Sequence, residues 1–431
     1  MTRKLLSTVA FASILSSTAV YAADAPLTVK FSGFLDSYIQ AVQETYPEDQ
    51  TVVGNTANST AMVGRLRLRI NPDATTNGIN YGAYLRINAA NSGKFGYDRA
   101  YGYIGTADIG TLTIGRAGYL GYAVSSNTIY GSNGSLSGSG PDAGAITQKS
   151  LTGGAGTGSG LVGGVDRANT IAGSYVDSSG VLGNGWNRFN YETPTLSGAK
   201  LGISYTPRSN NAKLVDWDNV RDLTTLGYKD VVELAAKYNI NLDGLDMTVA
   251  AGYVAGSAAK SGGESGRDRS LRNMRSFGAS YTVKYMGVVA NIHVANGGTT
   301  HVLSDDGYFA ANPTATVAPT APRTIGGVFN LGYESGKAAG DFSVGGYYGK
   351  GQSAGRTVSM QDPTRYTTAK VTQYGVGAQV IVVPGLSVFL AGDHIEAFSD
   401  NLRATNTNVD RSDGGWTDKA SMVTLGATVA F

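Results

Sequence analysis

The stretch DRAYGYIGTADIGTLTIGR, Asp98 to Arg116, decides the reading of this chain. Two short alternating runs flank the turn residues Ala107-Asp108-Ile109-Gly110, the pattern of a β-hairpin. Arg99, Tyr101 and Tyr103 share one strand face, while Leu112 and Ile114 share an apolar one. Arg99 and Arg116, near the two ends of the hairpin, are both expected on its polar side, which reads as the lining of a water-filled space. A Gly- and Ser-rich segment, 117–186, comes next, and connections of that length in a compact protein are either functional or disordered. Its acids are Asp142, Asp166 and Asp177 and its bases Lys149 and Arg167. Tyr119, Tyr122, Ile129, Tyr130 and Leu161-Val162 give it material to pack, so it is expected to fold back into the enclosed space and narrow it. A disordered surface loop is the alternative.

The same alternation recurs upstream. From Leu27 to Val42, Leu27, Val29, Phe31, Leu35 and Ile39 fall on one face and Lys30, Ser32, Asp36, Tyr38 and Gln40 on the other. Residues 61–70, AMVGRLRLRI, put Leu66, Leu68 and Ile70 opposite Arg65, Arg67 and Arg69. Three arginines on one face repel one another in a dry core, so that face meets water or acids. Asn71-Pro72-Asp73 through Asn77-Gly78 reads as a turn, and residues 79–90 return with Arg86 on the arginine side. A solvated face of a soluble sheet is the competing account of the arginine row.

Downstream, strands are expected near residues 187–193, 199–206, 230–240, 245–254, 274–285, 287–294, 324–334, 341–349, 369–382, 386–396 and 419–431. Short turns at 194–198, 241–244, 286–287 and 384–385 alternate with long polar connections, which gives one rim of turns and one of loops. With the strands before the long segment the total is about sixteen, an even number as closed bacterial barrels require. The final strand ends Val423, Leu425, Ala427, Val429, Phe431 on one face, an apolar row that suits lipid and an interfacial aromatic girdle. The expected fold is all-β, an antiparallel transmembrane β-barrel with a long loop in its lumen.

Compartment and partners follow from simple features. Arg3-Lys4, the apolar and small residues 5–20 and Val20-Tyr21-Ala22 form a secretory signal, so residues 1–22 are expected to be removed and 23–431 to form one barrel domain. Without Arg3 and Lys4, 32 basic residues face 32 acidic ones, a balance that gives no support to nucleic-acid binding. The chain has no cysteine, as a large closed sheet held by ladder hydrogen bonds allows. No stretch after residue 22 offers the roughly 18 uninterrupted apolar residues of a helical span.

The chain resembles the general diffusion porins of Gram-negative outer membranes. The resemblance is carried by SGFLDSYI (32–39), GRLRLRINPD (64–73), the hairpin, NRFNYETPTLSGAKLGISYTP (187–207) and GATVAF (426–431). It implies a sixteen-stranded homotrimer in the outer-membrane lipid, passing small hydrophilic solutes and ions without a cofactor. It also implies a third loop, within 117–186, that faces a basic cluster on the wall. By motif, Arg99 and the arginines of RLRLR belong to that cluster; with Arg86 and Arg116 added, the expected basic wall is Arg65, Arg67, Arg69, Arg86, Arg99 and Arg116, faced by loop residues Asp142, Lys149 and Asp166. The loop is thinly acidic for such a family, so weak selectivity leaning to anions is expected, with a substrate-selective channel for sugars or carboxylates as the alternative.

An enzyme reading has one foothold. Gly351-Gln352-Ser353-Ala354-Gly355 fits G-x-S-x-G, with Asp362 and His394 following in hydrolase order. A nucleophile elbow needs a helix after the serine, whereas 356–368 contain Pro363 and no helical period. His394 and Glu396 share a face but offer two ligands without a third. No catalytic residue or metal is expected.

Overall fold

Seven tight connections set one rim of the sheet, at 77–78, 107–109, 193–198, 243–244, 286–287, 335–341 and 384–385. In four of them a residue with positive φ precedes a glycine: Asn77-Gly78, Ser197-Gly198, Asp243-Gly244 and Met286-Gly287. Two successive positive φ values match the right-handed twist of the flanking strands, which makes these compact reversals favourable. The computed structural model describes residues 27–45, 58–90, 95–117, 161–162, 165–166, 187–208, 227–262, 268–270, 273–298, 323–354, 368–399 and 416–431. Residues 1–22 lie outside them, as do Asp142 and Lys149.

The wall consists of β1 (Thr28–Thr45), β2 (Asn58–Thr76), β3 (Ile79–Ala90), β4 (Phe95–Thr106), β5 (Gly110–Arg116), β6 (Asn187–Glu192), β7 (Ala199–Arg208) and β8 (Gly227–Leu242). It continues with β9 (Leu245–Gly262), β10 (Met274–Tyr285), β11 (Val288–Gly298), β12 (Arg323–Glu334), β13 (Phe342–Ala354), β14 (Thr368–Val383), β15 (Leu386–Ser399) and β16 (Trp416–Ala430). Each strand pairs antiparallel with its chain neighbours, and β1 pairs with β16 from Phe34↔Ala430 to Thr45↔Lys419. The result is a closed sixteen-stranded antiparallel barrel. A short strand, Asp268–Ser270, pairs with the end of β9, and Leu161–Val162 pairs with Val165–Asp166.

Alternation then separates two environments. Exposed large apolar side chains, among them Leu35, Ile39, Leu201, Leu331, Val376 and Leu425, occupy outward positions. Buried polar groups, including Asp36, Arg188, Asn190, Glu233, Asn291 and Asp393, occupy inward ones. A barrel with its apolar surface outside and polar groups inside is built for lipid, and about sixteen strands leave room for an aqueous lumen. The seam between β16 and β1 is fixed by paired bonds between Gly33 and Phe431, N to O 2.8 and 3.1 Å.

Three details depart from the sequence expectation. The turn expected over 71–78 is strand as far as Thr76, and only Asn77-Gly78 reverses the chain. Proline is accommodated because the β2–β3 ladder passes from Ile70↔Leu85 to Asp73↔Gly82, so Pro72 is not required to donate there. Several strands also run further toward the loops than expected, β9 to Gly262 for example. Finally, β4 carries a bulge, since the partner of Arg86 is Arg99 and that of Ile87 is Tyr97, leaving Asp98 as the extra residue. Bulges re-aim neighbouring side chains, and this one lies directly above Arg99.

Gly426 is the tight point of the seam. It pairs with Tyr38 and Phe389, whose rings lie 6.5 Å apart, and a Cβ there would meet the Tyr38 Cβ and come within 2.6 Å of Phe389 Cζ. Gly426→Val is therefore expected to destabilise the barrel by about 1–3 kcal/mol. The measurement is the temperature at which the folded, fast-migrating electrophoretic form is lost; an unchanged temperature would contradict this packing.

Candidate functional site

The inward face of β1–β4 gathers the basic residues in rows set by the ladder. Ser32, Arg69, Arg86 and Arg99 are successive partners across β1, β2, β3 and β4. One step toward the loops, Arg67 stands across from Phe34, with its guanidinium carbon 5.3 Å from the ring centroid. That cation–π contact restrains a long side chain at modest energetic benefit. Arg65 is the ladder partner of Asp36, and Asp36 accepts a hydrogen bond from Thr428 Oγ1 at 2.8 Å. Below the arginine row lie Tyr84 and Tyr101, stacked with centroids 5.0 Å apart. Asn71 donates to the Tyr103 hydroxyl at 3.1 Å.

Arg116 does not join this row. The β4–β5 ladder runs from Thr106↔Gly110 to Ala100↔Arg116, so Arg116 stands one step off Arg99, at the parity of Leu112 and Ile114. The expectation assumed that arginines at both ends of the hairpin share a face; the turn sets the pairing one residue away from that arrangement. Asp166 pairs with Leu161 in the short two-stranded element.

A cation not singled out from the sequence extends the wall. Arg188 on β6 is the partner of Gly115, itself the partner of Tyr101. Its side chain is 0% exposed, and Nη1 lies 3.1 Å from Glu233 Oε2 on β8. The alternation Arg188, Asn190, Glu192 against Phe189 and Tyr191 was the signal available in the sequence. Other lumen-facing acids are likewise engaged: Glu192 with Lys200, Glu334 with Lys284 at 2.9 Å, and Asp73 with Lys30 at 3.3 Å. Asp393 accepts from the Tyr347 hydroxyl at 2.8 Å. The described wall thus carries a row of adjacent arginines and acids that have cationic or hydroxyl partners.

The serine foothold has no elbow. Ser353 lies within β13, paired with Thr324 and Ala369 on the strands either side. His394 has Nδ1 2.8 Å from Ser421 Oγ, on the outward face with Glu396. Among the described residues there is no group of three or more metal-ligating side chains.

A family model for Gram-negative porins matches residues 7–321. The chain is a Gram-negative porin. The porin is an outer-membrane channel and not an enzyme. Its fold is similar to that of OmpT of Vibrio cholerae, in vitro folded and in trimer form, at 12% identity, 94% of this chain and 99% of that one, and a TM-score of 0.51. A loop L8 deletion mutant of OmpT matches at 10% identity, 94% and 99% coverage, and a TM-score of 0.52. An anion-selective porin from Comamonas acidovorans matches at 14% identity, 94% and 100% coverage, and 0.49. No curated protein matches the porin's sequence.

The ion pair of this porin predicts a measurable asymmetry. Glu233→Gln removes the carboxylate that pairs with the buried Arg188, and breaking such a pair costs about 3–5 kcal/mol. The variant should unfold at lower denaturant than Lys284→Gln, which breaks a half-exposed pair. Equal midpoints for the two variants would show that Arg188–Glu233 is not a buried pair in solution.

Proposed function

We propose that this porin is a homotrimeric general diffusion channel, weakly selective for anions, whose lumen is narrowed by the segment 117–186. The observation that carries the selectivity is the ladder row Arg69–Arg86–Arg99, reinforced by Arg67. A single-sign row in a water-filled constriction attracts counter-ions and repels co-ions. Asp36 beside Arg65 and the acids paired with lysines keep the lean weak. Wall height supports the loop reading: β5 and β6, which flank the long segment, have 7 and 6 residues, against 18 and 19 in β1 and β2. The chain leaves the wall low, where the lumen is beside it.

The homotrimer is supported by the outer surface. Among the described side chains, exposed aromatics stand on β6–β10 and β12–β14, among them Phe189, Tyr238, Phe277, Tyr333 and Tyr374, and none stands on β2, β3 or β5. Aromatic girdles serve contact with lipid headgroups, so the aliphatic rows Leu66–Leu68–Ile70 on β2 and Leu112–Ile114 on β5 suit contact with another protomer.

A substrate-selective channel for carboxylates or sugars is the second reading, favoured by the Tyr84–Tyr101 stack beside Arg86 and Arg99. A flat apolar surface next to guanidinium forks fits a ring bearing a carboxylate.

In planar bilayers under a salt gradient, the reversal potential is expected to carry the anion sign and to move toward zero in Arg67→Gln/Arg99→Gln. Cation preference in the unaltered protein would overturn the selectivity; brief current blocks by an added sugar acid would favour the second reading. Because the chain has no cysteine, single cysteines report the interface: a bismaleimide should link Leu68→Cys protomers and leave Leu331→Cys unlinked. The reverse pattern would move the interface to another face.

A further inference from the structure

The lysines of the turn-side lumen fall into two groups. Lys30, Lys200 and Lys284 point inward from β1, β7 and β10, and each lies against a carboxylate of a nearby strand: Asp73, Glu192 and Glu334. Lys237 is the exception. It has the inward parity of Glu233 on β8, because Leu234 and Tyr238 are exposed on the lipid side of that strand. Its ladder partners are Lys200 on β7 and Ala250 on β9. Among the described residues, no ion-pair or hydrogen-bond partner reaches its ammonium.

The surroundings leave that ammonium room. The next same-face row toward the loops is Gly202, Ala235 and Gly252, and the row toward the turn holds an uncharged pair, Thr248 donating to Asn239 at 2.9 Å. Lys237 is half-buried on this floor of small residues. A lysine so placed lays its methylene stem on the wall and keeps its charged head in water. Lys200 and Lys237 are like charges in directly opposite positions, which repel. Glu192 cancels the charge of Lys200 and leaves that of Lys237 standing. Strands β5, β6 and β7 separate β8 from β4, the last strand of the arginine row, so this charge faces the lumen from another side.

We propose that Lys237 is a second anion station of the channel, apart from the arginine row, and that Glu192 limits its strength by holding Lys200. Small inorganic anions and carboxylates crossing the turn-side lumen meet this ammonium in water. A fixed positive charge there raises the local concentration of anions and lowers that of cations, with no need for a long-lived bound state. The inference rests on the aqueous channel and not on the sign of its overall preference.

The test uses the full protein in planar bilayers under a potassium chloride gradient. Lys237→Gln should lower the ratio of anion to cation permeability about twofold, the effect of one charge a few ångströms away in water. Lys237→Arg, which keeps the charge, should keep the ratio. Glu192→Gln releases Lys200 beside Lys237 and should raise it; the pair is part-exposed, so its loss costs little stability. Because the chain has no cysteine, Lys237→Cys sets a single thiol in the lumen. A methanethiosulfonate bearing an ammonium should restore the ratio, and one bearing a sulfonate should depress it further. An unmoved reversal potential in Lys237→Gln or in Glu192→Gln would overturn the proposal, as would a thiol that neither reagent reaches. Cation preference in the unaltered protein would overturn the anion reading above while leaving these shifts in place, which keeps the two tests apart.

Discussion

Inside a bilayer no water is available to a backbone amide, and each strand of this chain presents a row of them. Pairing β1 with β16 removes the last two open edges, and the rest of the molecule depends on it. Once the ladder is closed, the inward or outward direction of one side chain fixes that of its partner on the next strand. The parity that sends Leu35 outward beside Leu66 sends Phe34 inward beside Arg67, and the relation holds from strand to strand through Asp393 and Met422 back to the β1 seam. The lumen surface is thus a consequence of hydrogen-bond closure rather than of any local attraction among the polar groups on it.

Those groups solve the cost of proximity in two ways. Arg188 is fully buried and is matched with Glu233, since an isolated charge out of water is far too costly. Arg69, Arg86 and Arg99 are ladder neighbours of like sign. Two such charges about 4 Å apart repel by about 1 kcal/mol in water and by about 4 kcal/mol at an effective dielectric of 20. A row of this kind persists where water, acids or passing anions screen it, which is the condition a channel interior supplies. Basic wall and aqueous lumen are therefore mutually dependent.

How much of this was legible in the sequence depends on how far each feature rests on alternation. The sixteen strands were, because a period of two survives without knowledge of partners. Leu35 and Ile39 declare lipid; Asp36 and Tyr38 declare lumen. Strand ends were not, since the apolar signal fades beyond the hydrocarbon while pairing continues, as in β9. Arg116 was misplaced because facing across a hairpin depends on one residue of turn geometry, which composition does not specify. Arg188 was readable and passed over, its neighbours Phe189 and Tyr191 alternating with it in plain view. Its partner Glu233 was beyond reach, since the pairing spans 45 residues and two strand boundaries. Asp142 and Lys149 lie outside the described residues.

The preserved parity also constrains how such a chain changes length. Removing one residue from the middle of a strand would exchange lipid-facing and water-facing side chains along the rest of it, placing arginine in hydrocarbon and leucine in the channel. Removing two would not. Single extra residues are accommodated at Asp98, where the β3–β4 ladder shifts, and at irregularities between Lys229 and Val232 and between Ile381 and Val383. Each lies toward the end of its strand, where few positions remain to be inverted. Descendants of this sequence, natural or engineered for sensing, are thus free to vary their loops by any number of residues, while their walls lengthen or shorten in pairs.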